Sequence, residues 1–229
     1  MNIIALDTSM GACSAAVLRA GDGARQLHAL HVEMPRGHAE ALMPMVEDVL
    51  ADAGLDARDL DLIAATVGPG SFTGVRIAIA AARGLALATG ASVFGTDSLT
   101  VMARAARLEG AAPKDPFAIA VDARRGMLYL GIYGADGHKL DGPLLVAPDE
   151  AISLLPATLR LAVGNGAQAL AEAASAHGRS IETMLPTLQP NAEALAEIAL
   201  ASSETSGILR PLYLRPPDAK PQAPTVERR

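Results

Sequence analysis

Two segments of this chain carry side chains suited to holding a phosphate group. Asp7, Thr8 and Ser9 close a short apolar run that begins at Asn2, and a carboxylate followed by hydroxyls at a strand tip can hold hydrated magnesium or phosphate oxygens. A plain strand-end turn is the alternative reading. The second segment is Gly68, Pro69, Gly70, Ser71, Phe72, Thr73, Gly74, Val75 and Arg76. Its glycines permit close backbone approach, and the amides opening the following helix point at any anion in the loop. No lysine of Walker type follows, so it is not a P-loop. A third candidate pairs Asp122 with Arg124 at a predicted hairpin tip, where a guanidinium could meet a phosphate or a partner's carboxylate. Metal chemistry is not expected. A zinc pair built on His38 needs a ligand four residues on, and Leu42 stands there. The remaining histidines lie on other elements, and Cys13 is the single cysteine.

The elements that must position these groups are readable from periodicity. Asn2 to Asp7, Cys13 to Arg19 and Gln26 to Glu33 fit three strands in a meander, followed by a helix from His38 to Ala53 that Gly54 stops. Leu62 to Val67 reads as a buried strand, and the glycine loop joins it to a helix ending near Ala88. A strand at Ser92 to Gly95 and a helix capped by Ser98 follow. Phe117 to Ala123, Met127 to Tyr133 and Leu140 to Val146 suggest further strands, then Leu159 to Val163, a helix to about His177, and a last helix capped by Asn191. The expected organisation is an N-terminal lobe over 1–108, rejoined by about 190–215, and a second lobe over 109–189. A disordered tail is expected over 216–229.

The 229 residues suffice for one large domain or two small lobes. With 47 alanines, three Phe, three Tyr and no Trp, the core must rest on close approach of small side chains. A net charge of −6 argues against a protein that grips nucleic acid alone. A lone cysteine excludes an internal disulfide framework. The N-terminus has no basic region, and the longest apolar stretch, Ile77 to Phe94, holds Arg83 and two glycines. Neither reads as a signal peptide or a membrane span, so the expected location is the cytoplasm.

Two helices carry more apolar surface than one neighbour needs. On the first, Leu42, Met43, Met45, Val46, Val49 and Leu50 spread over roughly 160°, against the ~100° stripe of a helix on a sheet. On the second, only Arg76 and Arg83 are charged between Thr73 and Ala88, and Ala78, Ala82 and Ala86 form a small-residue ridge. Burial within the chain is one explanation. The preferred reading is a helical partner interface comprising His38, Leu42, Met45, Val46, Val49, Ala78, Ala82 and Arg83.

The segments IIALDTS, HAEALMPMV, GPGSFTGVRIA, GTDSL, DARRGMLY and PLYLR, in order from about residue 2 to 215, resemble the bacterial TsaB (YeaZ) family of tRNA threonylcarbamoyladenosine biosynthesis proteins. The resemblance implies an α/β, two-lobed, actin-like or hexokinase-like (ASKHA) fold with mixed sheets flanked by helices. It implies a non-catalytic subunit that stabilises and activates its paralogue TsaD, which modifies adenosine 37 of tRNAs reading ANN codons, with the ATPase TsaE as third partner. Contact with TsaD through the two overloaded helices, tRNA met only through the complex, and ATP or magnesium acting only at the level of the complex are implied too. A homodimer is expected when TsaD is absent. The older M22 glycoprotease label is not supported by a sequence with Leu42 at the metal position. Ala78, Asp97 and Met127 depart from the family pattern. The competing reading is an independent ATP-dependent phosphotransferase of sugar-kinase type, with Asp122 and the Gly164 to Gly166 turn as its weak second-lobe candidates.

Overall fold

The computed structural model describes residues 1–21, 23–111, 113–202 and 205–215; the tail expected at 216–229 lies outside them. Among the described residues, ten strands form two sheets of five. The first comprises β1 (Asn2–Asp7), β2 (Ala12–Gly21), β3 (Ala24–Glu33), β4 (Leu62–Thr66) and β5 (Ser92–Thr96), in the order β3-β2-β1-β4-β5. The second comprises β6 (Phe117–Asp122), β7 (Leu128–Tyr133), β8 (Lys139–Val146), β9 (Leu161–Val163) and β10 (Glu182–Met184), in the order β10-β9-β6-β7-β8.

The two orders are the same fold written twice. In each sheet the first three strands form an antiparallel meander, and the fourth and fifth run parallel to the first. The parallel pairings need crossovers, which helices supply: α1 (His38–Ala53) and α2 (Phe72–Thr89) in the first lobe, α4 (Pro148–Ala151) and α5 (Ala167–Ala176) in the second. The third helix of each unit crosses over to the other sheet. Leu99, Met102, Ala103 and Ala106 of α3 (Ser98–Leu108) pack with Phe117, Ile119 and Tyr133 of the second sheet. Leu195, Ala196 and Ala199 of α6 (Ala192–Ala201) pack with Ile3, Ala5 and Ala16 of the first. Alanines bring α3 and α6 against each other, and Arg104 is paired with Glu197 across that contact.

The wide stripe on α1 finds two neighbours inside the chain. Leu42, Met45, Val46 and Val49 share one core with Val75, Ala78, Ile79 and Ala82 of α2 and with the sheet residues Ile4, Leu6 and Val17. These side chains are therefore not a partner surface, because the sheet and the adjacent helix divide the stripe between them. Of the expected interface, His38 is half-buried and Arg83 remains exposed, donating to the Leu209 carbonyl. By length and composition α2 is apolar enough to cross a membrane; here it forms the crossover between β4 and β5.

Asp97, not Ser98, caps α3: its carboxylate accepts from the Thr100 amide at 2.9 Å. The same buried carboxylate meets Lys139 Nζ of the second lobe at 3.0 Å. Asp97→Ala removes both bonds and is expected to destabilise the chain by about 1–3 kcal/mol in urea unfolding. Asp97→Asn keeps the cap and should lose less; equal losses would show that the cap contributes little and that the Lys139 pair carries the effect.

Candidate functional site

The tip of β1 and the start of α2 interlock. Thr8 Oγ1 donates to the Gly74 carbonyl at 2.6 Å and accepts from the Ala78 amide at 3.1 Å. The Ser71 amide donates to the Ser9 carbonyl at 2.8 Å. No side chain fits between these backbones: a Cβ on Gly70 would lie 2.1 Å from the Ser9 carbonyl oxygen, and one on Gly74 would lie 2.0 Å from that of Thr8. Ser71 caps α2, its Oγ accepting from the Gly74 amide at 2.9 Å.

Asp7, Thr8 and Ser9 are thereby wholly buried beneath the loop. This corrects their expected role as an open phosphate or magnesium subsite, because the glycine loop lies where a ligand would have to approach. The Asp7 carboxylate is instead used internally. It accepts from Ser9 Oγ at 2.9 Å, from the Ser9 amide at 3.2 Å and from the Thr66 hydroxyl. Burial pushes its carboxyl up from 3.8 to about 6, against the lowering pull of the hydrogen bonds from Thr66 and Ser9.

The rest of the glycine segment reaches open space. Pro69, Gly70, Ser71, Phe72 and Arg76 line one wall of an interlobe cleft of about 960 Å³, and Asp122 and Arg124 line the opposite wall. Gly68 and Gly74 are buried, and Thr73 is exposed outside the lining. The hairpin DARRG is held in an unusual form. Arg124 and Arg125 adopt positive φ values of 66° and 55°, and the Arg124 amide donates to Asp122 Oδ1 at 2.8 Å. A non-glycine pair in this region carries strain, and the result is an Arg124 side chain 86 % exposed.

The duplication places these parts in correspondence. Asp7 ends β1 and takes the amide two residues on; Asp122 ends β6 and does the same. Gly68 after β4 and Gly164 after β9 both turn through positive φ, at 102° and 104°. The halves differ in access, since Asp7 is sealed and Asp122 is exposed.

A third wall of the cleft, from the C-terminal segment, escapes the sequence reading. Arg76 lies 3.5 Å from the Phe72 ring centroid and donates through Nε to the Tyr213 hydroxyl at 2.7 Å, while Phe72 and Tyr213 stack at 5.4 Å. Arg215 reaches the Arg124 carbonyl at 3.3 Å. Arg76 thus helps to latch this segment onto α2. The PLYLR motif was the available signal, but nothing local shows that it returns to the cleft. Among the described residues, no three His, Cys, Asp or Glu side chains converge in a form that could hold a metal.

A duplicated two-lobed α/β chain, with the exchanged helices and an interlobe cleft, defines a protein of the actin-like, hexokinase-like class. Residues 32–213 match the family model described as TsaD: tRNA N6-adenosine threonylcarbamoyltransferase. A Haemophilus influenzae protein named tRNA threonylcarbamoyladenosine biosynthesis protein TsaB is 30 % identical over 229 residues, 94 % of each chain. The Escherichia coli protein of that name is 38 % identical over 141 residues, covering 61 % of this chain and 58 % of that protein. The solved YeaZ structure from Pseudomonas aeruginosa is 32 % identical with a TM-score of 0.75, over 93 % of this chain and 99 % of the other. The chain belongs to the TsaB (YeaZ) family. Roseobacter denitrificans tRNA N6-adenosine threonylcarbamoyltransferase is 34 % identical over 177 residues, which span 48 % of that longer protein.

The raised Asp7 value sets a pH dependence. The folded carboxyl takes up a proton at a higher pH than the unfolded one, so its cost to stability is present above about 6 and is relieved as pH falls toward 4. Relative to Asp7→Asn, the native chain should gain up to about 3 kcal/mol between pH 7 and pH 4. Denaturant titrations across that range measure it; a flat difference would mean that the carboxylate is not desolvated.

Proposed function

We propose that this chain is the non-catalytic subunit of the complex that forms threonylcarbamoyladenosine at position 37 of tRNA. It binds, stabilises and activates TsaD, with TsaE as the third component, in the cytoplasm. The observation that carries this reading is the outer face of α2. Ala80, Gly84, Leu87 and Ala88 face outward, and Leu87 is 90 % exposed. Small residues four apart let a partner helix approach closely, and an apolar strip of this kind is the mark of a docking surface. This face takes over the role first expected of Leu42, Met45, Val46, Val49, Ala78 and Ala82; Arg83 stays at its border. When TsaD is absent, the same face can close on a second copy.

The sealed Asp7 supports a subunit without phosphotransfer chemistry of its own. ATP and magnesium then act at the level of the complex, and tRNA is met through it. The cleft residues Gly70, Ser71, Phe72, Arg76, Asp122 and Arg124 remain the candidates for an anionic group bound to this chain.

The test is incorporation of labelled threonine into unmodified tRNA by TsaD, TsaE and the adenylate-forming synthase, with this chain added or omitted. Strict dependence is expected. Leu87→Glu and Gly84→Arg should raise the Kd for TsaD by about 100-fold or more and abolish incorporation. They should leave the fold intact, since the space around Gly84 is open. Val46→Arg should instead unfold the chain, at a cost above about 4 kcal/mol. Equal incorporation without the chain would remove the activating role.

A further inference from the structure

We propose that the interlobe cleft takes an unpaired stretch of RNA, its bases stacked on Phe72, Tyr129 and Tyr213 and its phosphates met by Arg76, Arg124 and Arg215. The chain has three Phe and three Tyr. Phe94, Phe117 and Tyr133 are buried in the cores. The other three all line the cleft, so every Phe and Tyr that reaches the surface does so there. Phe72 is 51 % and Tyr213 42 % exposed, and large apolar faces gathered in one place on a surface mark a binding site. Positive charge is gathered in the same place. The chain as a whole carries −6, yet the lining sets three arginines against the single carboxylate of Asp122. Guanidinium groups beside exposed rings are the chemistry that holds single-stranded nucleic acid.

The geometry leaves a ring face open. The Arg76 guanidinium lies 3.5 Å from the Phe72 centroid and 5.6 Å from that of Tyr213, and the two centroids are 5.4 Å apart. A guanidinium that close to a centroid sits over one face of the ring. With these separations Tyr213 falls to the side of Phe72, so neither group covers the face opposite Arg76. On the other wall, Tyr129 of β7 follows the hairpin that holds Arg124 outward. Positive charge on both walls suits a polyanion laid along the cleft. Asp122 repels a phosphate but accepts from a hydroxyl. Its Oδ1 takes the Arg124 amide, while Oδ2 lies 4.0 Å from the Arg124 guanidinium, too far for a hydrogen bond. Oδ2 can therefore accept from a ribose 2′-hydroxyl, the group that separates RNA from DNA. An acidic peptide would use the arginines but would leave the three surface rings without a role. The choice of RNA rests on the reading of this chain as part of a tRNA-modifying complex. With its net negative charge the chain holds RNA weakly by itself, and in the complex the cleft adds to a grip made elsewhere.

Fluorescence anisotropy of an end-labelled oligouridylate of about ten nucleotides, titrated with the full chain at low salt, reads the site without TsaD. Saturable binding is expected below about 1 mM, weakening by about a hundredfold for a tenfold rise in salt as three phosphates are neutralised. Arg124→Glu and Phe72→Leu should each weaken it about tenfold or more; Phe72→Leu keeps apolar bulk beneath Arg76 and so preserves the packing. Arg25→Glu, the same charge change at an exposed position on β3, should leave it unchanged. Oligodeoxyuridylate should bind more weakly, and ultraviolet cross-links of the oligouridylate should map to Phe72, Tyr129 or Tyr213. In the complex with TsaD, the Arg124→Glu effect is then compared on intact tRNA, on tRNA trimmed of its unpaired 3′ end and on the isolated anticodon stem-loop. An effect lost on trimming assigns the 3′ strand to the cleft, and one kept by the stem-loop assigns the loop. Absence of binding up to about 1 mM, native affinity in both variants, equal affinity for oligodeoxyuridylate or oligoglutamate, or cross-links confined to other residues would each overturn the proposal. Threonine incorporation that proceeds without this chain is a separate result, which removes the activating role and leaves these binding measurements standing.

Discussion

The contact on which the rest of the molecule depends is the one between the tip of β1 and the first turn of α2. Thr8 both donates to and accepts from the α2 backbone, and the two glycines beside it tolerate no Cβ. Once that contact forms, the position and roll of α2 are set, because a helix pinned at its first turn has little freedom against a sheet. Val75, Ala78, Ile79 and Ala82 are turned into the core. Ala80, Gly84 and Leu87 are left outside. The contact that closes over Asp7 therefore also determines which face of the helix a partner can meet.

The same closure explains how an ionisable group comes to be fully buried. A carboxylate in a low-dielectric site needs donors, and Asp7 receives three, from Ser9, the Ser9 amide and Thr66. They do not offset its desolvation completely, which leaves the carboxyl with a raised pKa. A group arranged this way maintains the geometry of the strand tip.

Long periodic elements were legible in the sequence because their signals are local. The helix from His38 to Ala53 and the strands of the first meander stand where hydrophobic spacing put them. The strand β10 and the helix α4 span three and four residues, too few to establish a period. The cap at Asp97 was missed for a neighbouring serine, since both residue types serve. The error over the interface had a different source. A stripe of roughly 160° on α1 correctly signals two neighbours, but spacing does not say whether the second belongs to another chain, and here it is α2. Tyr213 was illegible for want of any local pattern: its partner Arg76 is 137 positions away.

The duplication shows how the two lobes divide their work. Both carry an aspartate at the end of the first strand and a glycine turning after the fourth, so both had the same starting parts. In the first lobe the glycine loop packs onto the strand tip, and Ser9 and Thr66 take up the Asp7 carboxylate in hydrogen bonds. In the second, Asp122 stays open and strained backbone holds Arg124 out across the cleft. The C-terminal segment then ties the walls together from Arg76 to Arg124 through Tyr213 and Arg215. The C-terminal segment thus touches both walls of the cleft. Through Arg76 and Arg83 it also holds α2 from outside the sheet, so the face carrying Gly84 and Leu87 is ordered by contacts within this chain.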